Sequence, residues 1–266
     1  MKAWIAWIFR DLFPPVALFG LVLIAWDVAV WWFAIPPFLL PRPMQILGTF
    51  HEEDSRLVWA TLVTGQGALG GFGLSLAVGI TLGLIFSQSR IIRQSCYPYA
   101  IFLQTVPIVA IAPLVVTWFG TGFFSVLLVS FIISLFPIIT NATAGLMAVD
   151  PGLIDLFRIN RATRWQTLFK LRFPNSIPHL VTGAKTSAGL AVVGAIVGEF
   201  FVGYGSGQAG LGNLILQTMN QMKTDLLFAS VIASASLGVA IFGLVNALGG
   251  TLLKRWQQYD ANDPLF

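Results

Sequence analysis

The sequence carries little charge for its length. Lys, Arg, Asp and Glu make up 10% of its 266 residues, whereas soluble domains carry about 25%. So few charges could not cover the surface of a soluble domain, and 56% of the residues are hydrophobic. Because lipid solvates apolar side chains directly, the composition predicts an integral membrane protein.

The scarcity of cysteine and histidine excludes several kinds of site. Cys96 is the only cysteine, so neither an internal disulfide nor a thiolate metal site is possible. His51 and His179 are far apart and lack acidic neighbours at ligand spacing, so we predict no metal and no cofactor. The net charge of +4 reflects loops that flank membrane segments, and we predict no nucleic-acid partner.

Motifs for nucleotide chemistry are also missing. "GAKT" (183–186) lacks the glycine that precedes lysine in a phosphate-binding loop, so we do not expect this chain to hydrolyse ATP. "GSGQAG" (205–210) formally fits a dinucleotide pattern, but it follows a membrane helix and is interpreted as an outer loop. An integral-membrane enzyme would need a cluster of catalytic polar residues at one interface, and the sequence has none.

Apolar runs of about 20 residues, long enough to cross a bilayer, recur along the chain. They predict an all-α integral membrane fold with six transmembrane helices, at about 12–35, 57–87, 97–119, 123–147, 179–202 and 226–253. The first could be a signal peptide, but its length and the lack of a cleavage pattern favour a retained helix. "FGTGFF" (119–124) predicts a tight hairpin, and Pro107 and Pro113 predict kinks in the third span.

The distribution of positive charge predicts the orientation. With both termini inside, twelve of the fifteen Lys and Arg lie on the cytoplasmic side and three outside, in agreement with the positive-inside bias. We therefore predict an N-in, C-in topology. The expected organisation is an N-terminal helix with an outer amphipathic segment (1–56), a transmembrane core (57–253) containing a cytoplasmic loop (148–178), and a cytoplasmic tail (254–266).

The cytoplasmic loop has an unusual composition. The stretch "DLFRINRATRWQTLFKLRFPNSIP" (155–178) holds a third of all the Lys and Arg. This charge could simply anchor the topology or contact anionic lipid. However, apolar residues recur in it at three- and four-residue spacing, and Asp155 and Arg158 form an i,i+3 pair. The pattern favours an amphipathic helix pair that docks a partner and is closed by Pro174 and Pro178.

This stretch resembles the cytoplasmic signature of bacterial ABC importer permeases. That signature begins Glu-Ala-Ala, has Gly four residues after the second Ala, and ends near Leu-Pro. Asp155 stands in the Glu position and Arg161 in the Gly position. Further segments resemble the branch that carries sulfonates, taurine, nitrate and thiamine precursors: "IPPFLLPRPMQIL" (35–47), "QTVPIVAIAPLVVTWFGTG" (104–122), "FPIITNATAGLMAVDPGLID" (136–155) and "AGLGNLI" (209–215).

The resemblance implies a type I, binding-protein-dependent importer permease in the cell (inner) membrane. Two permease subunits, expected to be a homodimer, would form the path through the lipid bilayer. A cytoplasmic ATPase dimer would grip the loop, and an extracytoplasmic binding protein would deliver the substrate. The residues expected to couple to the ATPase are Asp155, Arg158, Arg161, Ala162, Arg164 and Trp165.

The cytoplasmic stretch departs from the family signature in two ways. Arg161 replaces a glycine that permits a sharp turn, so the turn is either altered or needs no positive φ. Leu156 and Phe157 replace smaller alanines and would need a matching groove in the ATPase.

In the resembled fold the third and fifth helices line the path, which makes Gln104, Thr105 and Glu199 candidate path residues. An acid within a membrane helix is costly, so Glu199 either contacts the path or makes a structural hydrogen bond.

The substrate is only weakly encoded. "GAIVGEF" (194–200) resembles permeases for pyrimidine thiamine precursors and riboflavin, while sulfonate, taurine and nitrate stay open as alternatives. A secondary transporter would favour inverted repeats and more intramembrane ionisable groups, and neither is evident.

Overall fold

The computed structural model describes residues 13–203 and 209–261, with side chains as far as 253. Within these ranges the regular structure is entirely helical. The helices are α1 (Phe13–Trp32), α2 (Pro43–Glu52), α3 (Asp54–Gln88), α4 (Arg90–Thr105), α5 (Ile108–Phe119), α6 (Phe123–Met147), α7 (Pro151–Ile159), α8 (Arg164–Thr167), a π-helical turn (Leu168–Arg172), α9 (Phe173–Val202), α10 (Leu211–Asn220) and α11 (Thr224–Ala261).

Five helices in the described ranges are long and apolar enough to cross a membrane, or six if the bent pair α4 and α5 counts as one span. The five helices correspond to all the predicted spans except the third. The hairpin predicted at "FGTGFF" is confirmed, because α5 ends at Phe119 and α6 begins at Phe123. Most of "GSGQAG" and the side chains of the predicted tail lie outside the described residues.

The third predicted span is not one helix. Helices α4 and α5 meet at an angle of 100°. Val106 is extended there, with φ −72° and ψ 125°, because the ring of Pro107 disfavours a helical conformation for the residue before it. The predicted kink at Pro107 is thus confirmed, and the single helix over 97–119 is wrong. Pro113 lies inside α5.

The prediction that Pro174 and Pro178 close the helix pair of the loop is wrong. Both prolines lie within α9, which begins at Phe173. Pro174 is the second residue of α9, directly after a π-helical turn in which the Phe173 N–H donates to the Leu168 carbonyl. The π-helical turn joins α8 to α9, so that one apolar helical run extends from Arg164 to Val202.

The chain forms two compact units, the larger of which comprises 59–213 and 234–266. In this unit the helices approach through small residues around Ser130 of α6. The Ser130 hydroxyl donates to the carbonyl of Ala191 in α9 at 2.8 Å. A Cβ added at Gly71 would lie 2.4 Å from the Ser130 Oγ, and one at Gly194 would lie 2.7 Å from its Cα. Close packing of α3, α6 and α9 therefore requires glycine at both positions.

Only some glycines in these helices lie at close helix contacts. An added Cβ would meet a neighbour at Gly70, Gly71, Gly183, Gly194 and Gly198. At Gly73 and Gly189 it would meet nothing within 4 Å. Sequence alone does not say which side of a helix faces a neighbour and which faces lipid.

Among the described residues, the smaller unit comprises 13–58 and 214–233. Polar contacts join its two chain segments, as in the bond from the Thr49 hydroxyl to the Asp225 carboxylate at 3.2 Å. The rings of Trp26 and Phe228 lie 5.5 Å apart. Helix α2 lies within the segment that was expected to be amphipathic, and Pro43 occupies its first turn.

We predict that Gly71→Ala lowers the stability of the protein by about 1–3 kcal/mol, because its Cβ would overlap the side chain of Ser130. Gly73→Ala is the matched control, since it lies two residues away in α3 and its Cβ meets open space. The control should be neutral or slightly stabilising, because alanine favours a helix over glycine by about 1 kcal/mol. Thermal melting in detergent measures both variants, and equal midpoints would contradict the packing described here.

Candidate functional site

The loop between α6 and α9 begins with a well-capped helix. The Asp150 carboxylate accepts a hydrogen bond from the Gly152 N–H at 2.7 Å, and Pro151 is the first residue of α7. An Asp cap satisfies an N–H that would otherwise be unpaired, and proline pre-sets the first helical turn. Helix α7 therefore begins at a fixed point, directly after the membrane helix α6.

Helix α7 ends in a left-handed turn at Arg161. The Ala162 N–H donates to the Phe157 carbonyl at 2.9 Å, and the Arg161 N–H donates to the Arg158 carbonyl at 3.0 Å. This bond pair is the Schellman motif, whose central residue is usually glycine. Arg161 has φ +51°, so it adopts the conformation that glycine permits, at a cost of roughly 1–2 kcal/mol. The turn is thus retained and does need a positive φ.

Helix α8 begins at Arg164, and a capping box precedes it. The Gln166 N–H donates to the Thr163 hydroxyl at 3.2 Å, and the Thr163 N–H donates to the Gln166 side chain at 2.8 Å. Sequence reasoning missed this start, although Thr-x-x-Gln is a recognisable pattern for it. The Schellman motif and the capping box together specify the direction of the chain on both sides of the turn.

The loop carries an exposed apolar face. Five apolar side chains are exposed on this arginine-rich segment: Leu153, Leu156, Ile159, Trp165 and Phe169. Ile159 is 78% exposed and Trp165 is 68% exposed. The Trp165 and Phe169 rings stack with their centroids 5.8 Å apart, whereas Leu168 between them is buried. We call these five residues the apolar face of the loop.

Most of the charged residues of the loop are exposed. Asp155 and Arg158 form the predicted i,i+3 pair at 2.8 Å, which is thereby confirmed, but both side chains are mostly exposed. Such a pair contributes little to stability. Arg158, Ala162 and Arg164 line one polar pocket under the loop. Arg161 and Trp165 are exposed, and Trp165 belongs to the apolar face.

Gln104 and Thr105 lie at the end of α4, next to the break at Pro107. Gln104 lines an apolar cavity of about 640 Å³ in the larger unit, together with Tyr99, Leu103, Phe131, Phe136 and Leu190 among others. Thr105 is exposed and donates to the Phe102 carbonyl of its own helix at 2.8 Å. Among the described residues, Glu199 and Thr105 do not line this cavity.

Glu199 is 2% exposed and fully engaged in hydrogen bonds. Its carboxylate accepts from the Thr64 hydroxyl of α3 at 2.8 Å and from the Gly212 N–H at 2.7 Å. The Thr64 hydroxyl in turn accepts from the Leu211 N–H at 2.8 Å. Glu199 and Thr64 thus satisfy the first N–H groups of α10, where a carboxylate also complements the helix dipole.

The two glycines of "AGLG" (209–212) make this arrangement possible. An added Cβ would lie 2.0 Å from the Glu199 carboxylate at Gly210 and 2.5 Å from the Ile196 carbonyl at Gly212. The backbone approaches α9 closely enough to donate to Glu199 only because both side chains are absent. The structural hydrogen bond that was one of the two expected roles of Glu199 is therefore present. The contacts of Glu199 join α3, α9 and the start of α10.

Comparison with known proteins supplies the wider context. The family model for "binding-protein-dependent transport system inner membrane component" matches residues 75–258. This range includes the loop, the break at Pro107 and the contact of Glu199 with Gly212, whereas Thr64 precedes it. Within the described residues, no group of three or more His, Cys, Asp or Glu is placed to hold a metal ion.

Several named relatives align along most of the chain. A riboflavin transport system permease protein, RibX, from Chloroflexus aurantiacus is 36% identical over 91% of this chain and 89% of its own length. A formylaminopyrimidine transport permease, ThiX, from Halalkalibacterium halodurans is 29% identical over 92% of this chain and 96% of its own length. A putative aliphatic sulfonates transport permease, SsuC, from Bacillus subtilis is 27% identical over 91% and 88%.

We predict that Arg161→Gly preserves the loop turn and that Arg161→Val opens it. Glycine adopts positive φ without strain, whereas a β-branched residue is a severe outlier there. Hydrogen exchange at the Ala162 amide, which donates across the turn, reports the difference. We expect protection to be unchanged or higher in the glycine variant and lost in the valine variant. Equal exchange in the two variants would contradict the left-handed conformation.

Proposed function

The chain belongs to the family of binding-protein-dependent transport system inner membrane components, and on that premise we propose how this permease is driven, arranged and loaded. It is a multi-pass membrane protein, a permease of an ABC importer for small solutes, and not an enzyme. The hydrolysis of ATP belongs to a separate subunit.

The loop from 148 to 178 is the docking element for that ATPase. The observation that carries this proposal is the exposed apolar face on a segment whose two helices each begin at a side-chain cap. Apolar side chains on a short, well-defined helix suit a groove in a partner. Leu156, Ile159 and Trp165 enter the groove, while Asp155, Arg158 and Arg164 orient the helix from its polar sides. Arg161 and Ala162 hold the turn between the two helices.

The chain crosses the membrane six times with both termini in the cytoplasm. Helices α4 and α5 together form the third span, which bends by 100°. This topology places the loop and most of the Lys and Arg on the side of the ATPase, as the positive-inside bias requires. The core of the permease is 57–253, preceded by the N-terminal segment 1–56 and followed by the tail 254–266.

Two copies of this chain line the path, and a binding protein delivers the substrate from outside. Gln104 and Thr105 border the path at the break between α4 and α5, where proline leaves backbone carbonyls without helical partners. Glu199 shapes the outer end of the path by holding the start of α10 against α3 and α9. The binding protein meets the outer loops near α10.

The substrate is a nitrogen-containing aromatic compound, such as riboflavin or a pyrimidine precursor of thiamine. The names of two relatives that align along about nine-tenths of the chain support this choice. The amide of Gln104 and the aromatic rings of Tyr99, Phe131 and Phe136 line the same cavity. These groups suit a ligand with a flat polar ring. An aliphatic sulfonate, taurine or nitrate is the alternative, and the sulfonate relative supports it.

We predict ATP-driven uptake of riboflavin or formylaminopyrimidine by proteoliposomes that contain this permease with its ATPase and binding protein. Radiolabelled riboflavin, formylaminopyrimidine and taurine are offered in separate assays, with and without ATP. Accumulation of either aromatic compound only with ATP supports the proposal. Uptake of taurine alone would overturn the substrate, and ATP-independent uptake would overturn the coupling.

A matched pair of variants locates the coupling in this assay. Ile159→Ser removes an apolar side chain that is 78% exposed, so folding should be unaffected and uptake should fall sharply. Ile91→Ser changes an equally exposed isoleucine, at 77%, which lies at the start of α4 and outside the loop. Uptake should be retained in this control. Equal uptake by the two variants would contradict docking through the apolar face.

A further inference from the structure

A basic pocket lies beneath the loop in the larger unit. It has a volume of about 470 Å³, which is within the range of about 300–1,000 Å³ found for ligand sites. The residues that line it are Ser87, Gln88, Ile154, Arg158, Ala162, Arg164, Thr167 and Arg172. Three of these eight lining residues are arginines, and none of the eight is acidic.

The arginines retain most of their capacity to bind an anion. Each guanidinium has five N–H donors in a planar fork. Arg172 donates one bond to the Ser87 carbonyl at 2.9 Å, which fixes it at the end of α3. Arg158 donates to Asp155 at 2.8 Å, in a pair that is largely exposed to water. The arrangement therefore concentrates positive charge around a space that is large enough for a ligand.

The position of the pocket limits which anion can reach it. Ser87 and Gln88 are the last residues of α3, and Arg172 directly precedes α9. Both belong to helical runs that are apolar enough to span the membrane, so the pocket lies where two candidate spans end next to the loop. Ile154 and Ala162 add an apolar side to the pocket, as a ligand with an apolar part requires.

The pocket and the apolar face use different side chains of the loop. Ile154 and Arg158 line the pocket on one side of α7. Leu153, Leu156 and Ile159 are exposed on the rest of its surface. An anion in the pocket would therefore leave the apolar face uncovered, while it would engage Arg158 and Arg164, two of the charges proposed to orient the docked helix.

We propose that this pocket binds a phosphate group, and that the phosphate is the headgroup of an anionic phospholipid. Arginine is suited to phosphate because two parallel N–H bonds match two phosphate oxygens. A bound headgroup would join the end of α3, the loop and the start of α9 through a single ligand. The site goes beyond the transport activity, and its failure would leave the proposed function intact.

The test uses the full chain in a neutral detergent, titrated with short-chain phosphatidylglycerol, the matching phosphatidylcholine, or inorganic phosphate. Native mass spectrometry counts the molecules bound to each chain. We expect one phosphatidylglycerol to bind at least roughly tenfold more tightly than phosphatidylcholine, as charge-assisted bonds imply. Competition by inorganic phosphate at comparable concentrations would show that free phosphate is the ligand, and would overturn the lipid assignment.

Two variants locate the site. The double variant Arg158→Gln with Arg164→Gln should weaken phosphatidylglycerol binding by roughly tenfold or more. Lys170→Gln is the control, since Lys170 is exposed in the same basic stretch but does not line the pocket. Its binding should change little. An equal loss in both proteins would mean that only net charge matters, and unchanged binding in the double variant would place the lipid elsewhere; either result overturns the proposal.

Discussion

The left-handed turn at Arg161 is the constraint on which the functional interpretation depends. It lies among the four residues that connect α7 to α8, and so it fixes how the two parts of the apolar face are connected. The residue type is costly there, since arginine lacks the freedom of glycine at φ +51°. The bonds of the Schellman motif and the adjacent capping box hold the turn in place despite that cost.

This turn matters because the loop connects directly to a helix that crosses the membrane. The helical run from Arg164 to Val202 contains 39 residues and spans roughly 58 Å at 1.5 Å per residue. The loop lies at one end and Glu199 lies near the other. Ser130 of α6 contacts it at Gly194, in the last quarter of the run, where close packing resists independent movement. One continuous helical run therefore joins the loop to the contacts of Glu199 at the start of α10.

Sequence predicted the class of fold, five spans and the ion pair between Asp155 and Arg158, because these depend on composition and local spacing. It failed where competing local effects decide the outcome. Proline interrupts the helix at Pro107, as predicted, but Pro174 and Pro178 are accommodated within α9 and do not close the helices of the loop. Glu199 was a candidate from its rarity in a membrane helix, yet its partners Thr64 and Gly212 are distant in sequence or follow a loop. Spacing alone could not have found them.

The most direct test of the central claim measures whether the apolar face becomes covered by the ATPase. In a Cys96→Ser background, Ile159→Cys introduces a single thiol on this face, and Ile91→Cys introduces one outside the loop. Maleimide labelling is followed in the permease alone and in the assembled transporter. The account predicts that labelling at position 159 is fast alone and nearly abolished on assembly, with little change at position 91. Equally fast labelling at position 159 in both states would contradict it.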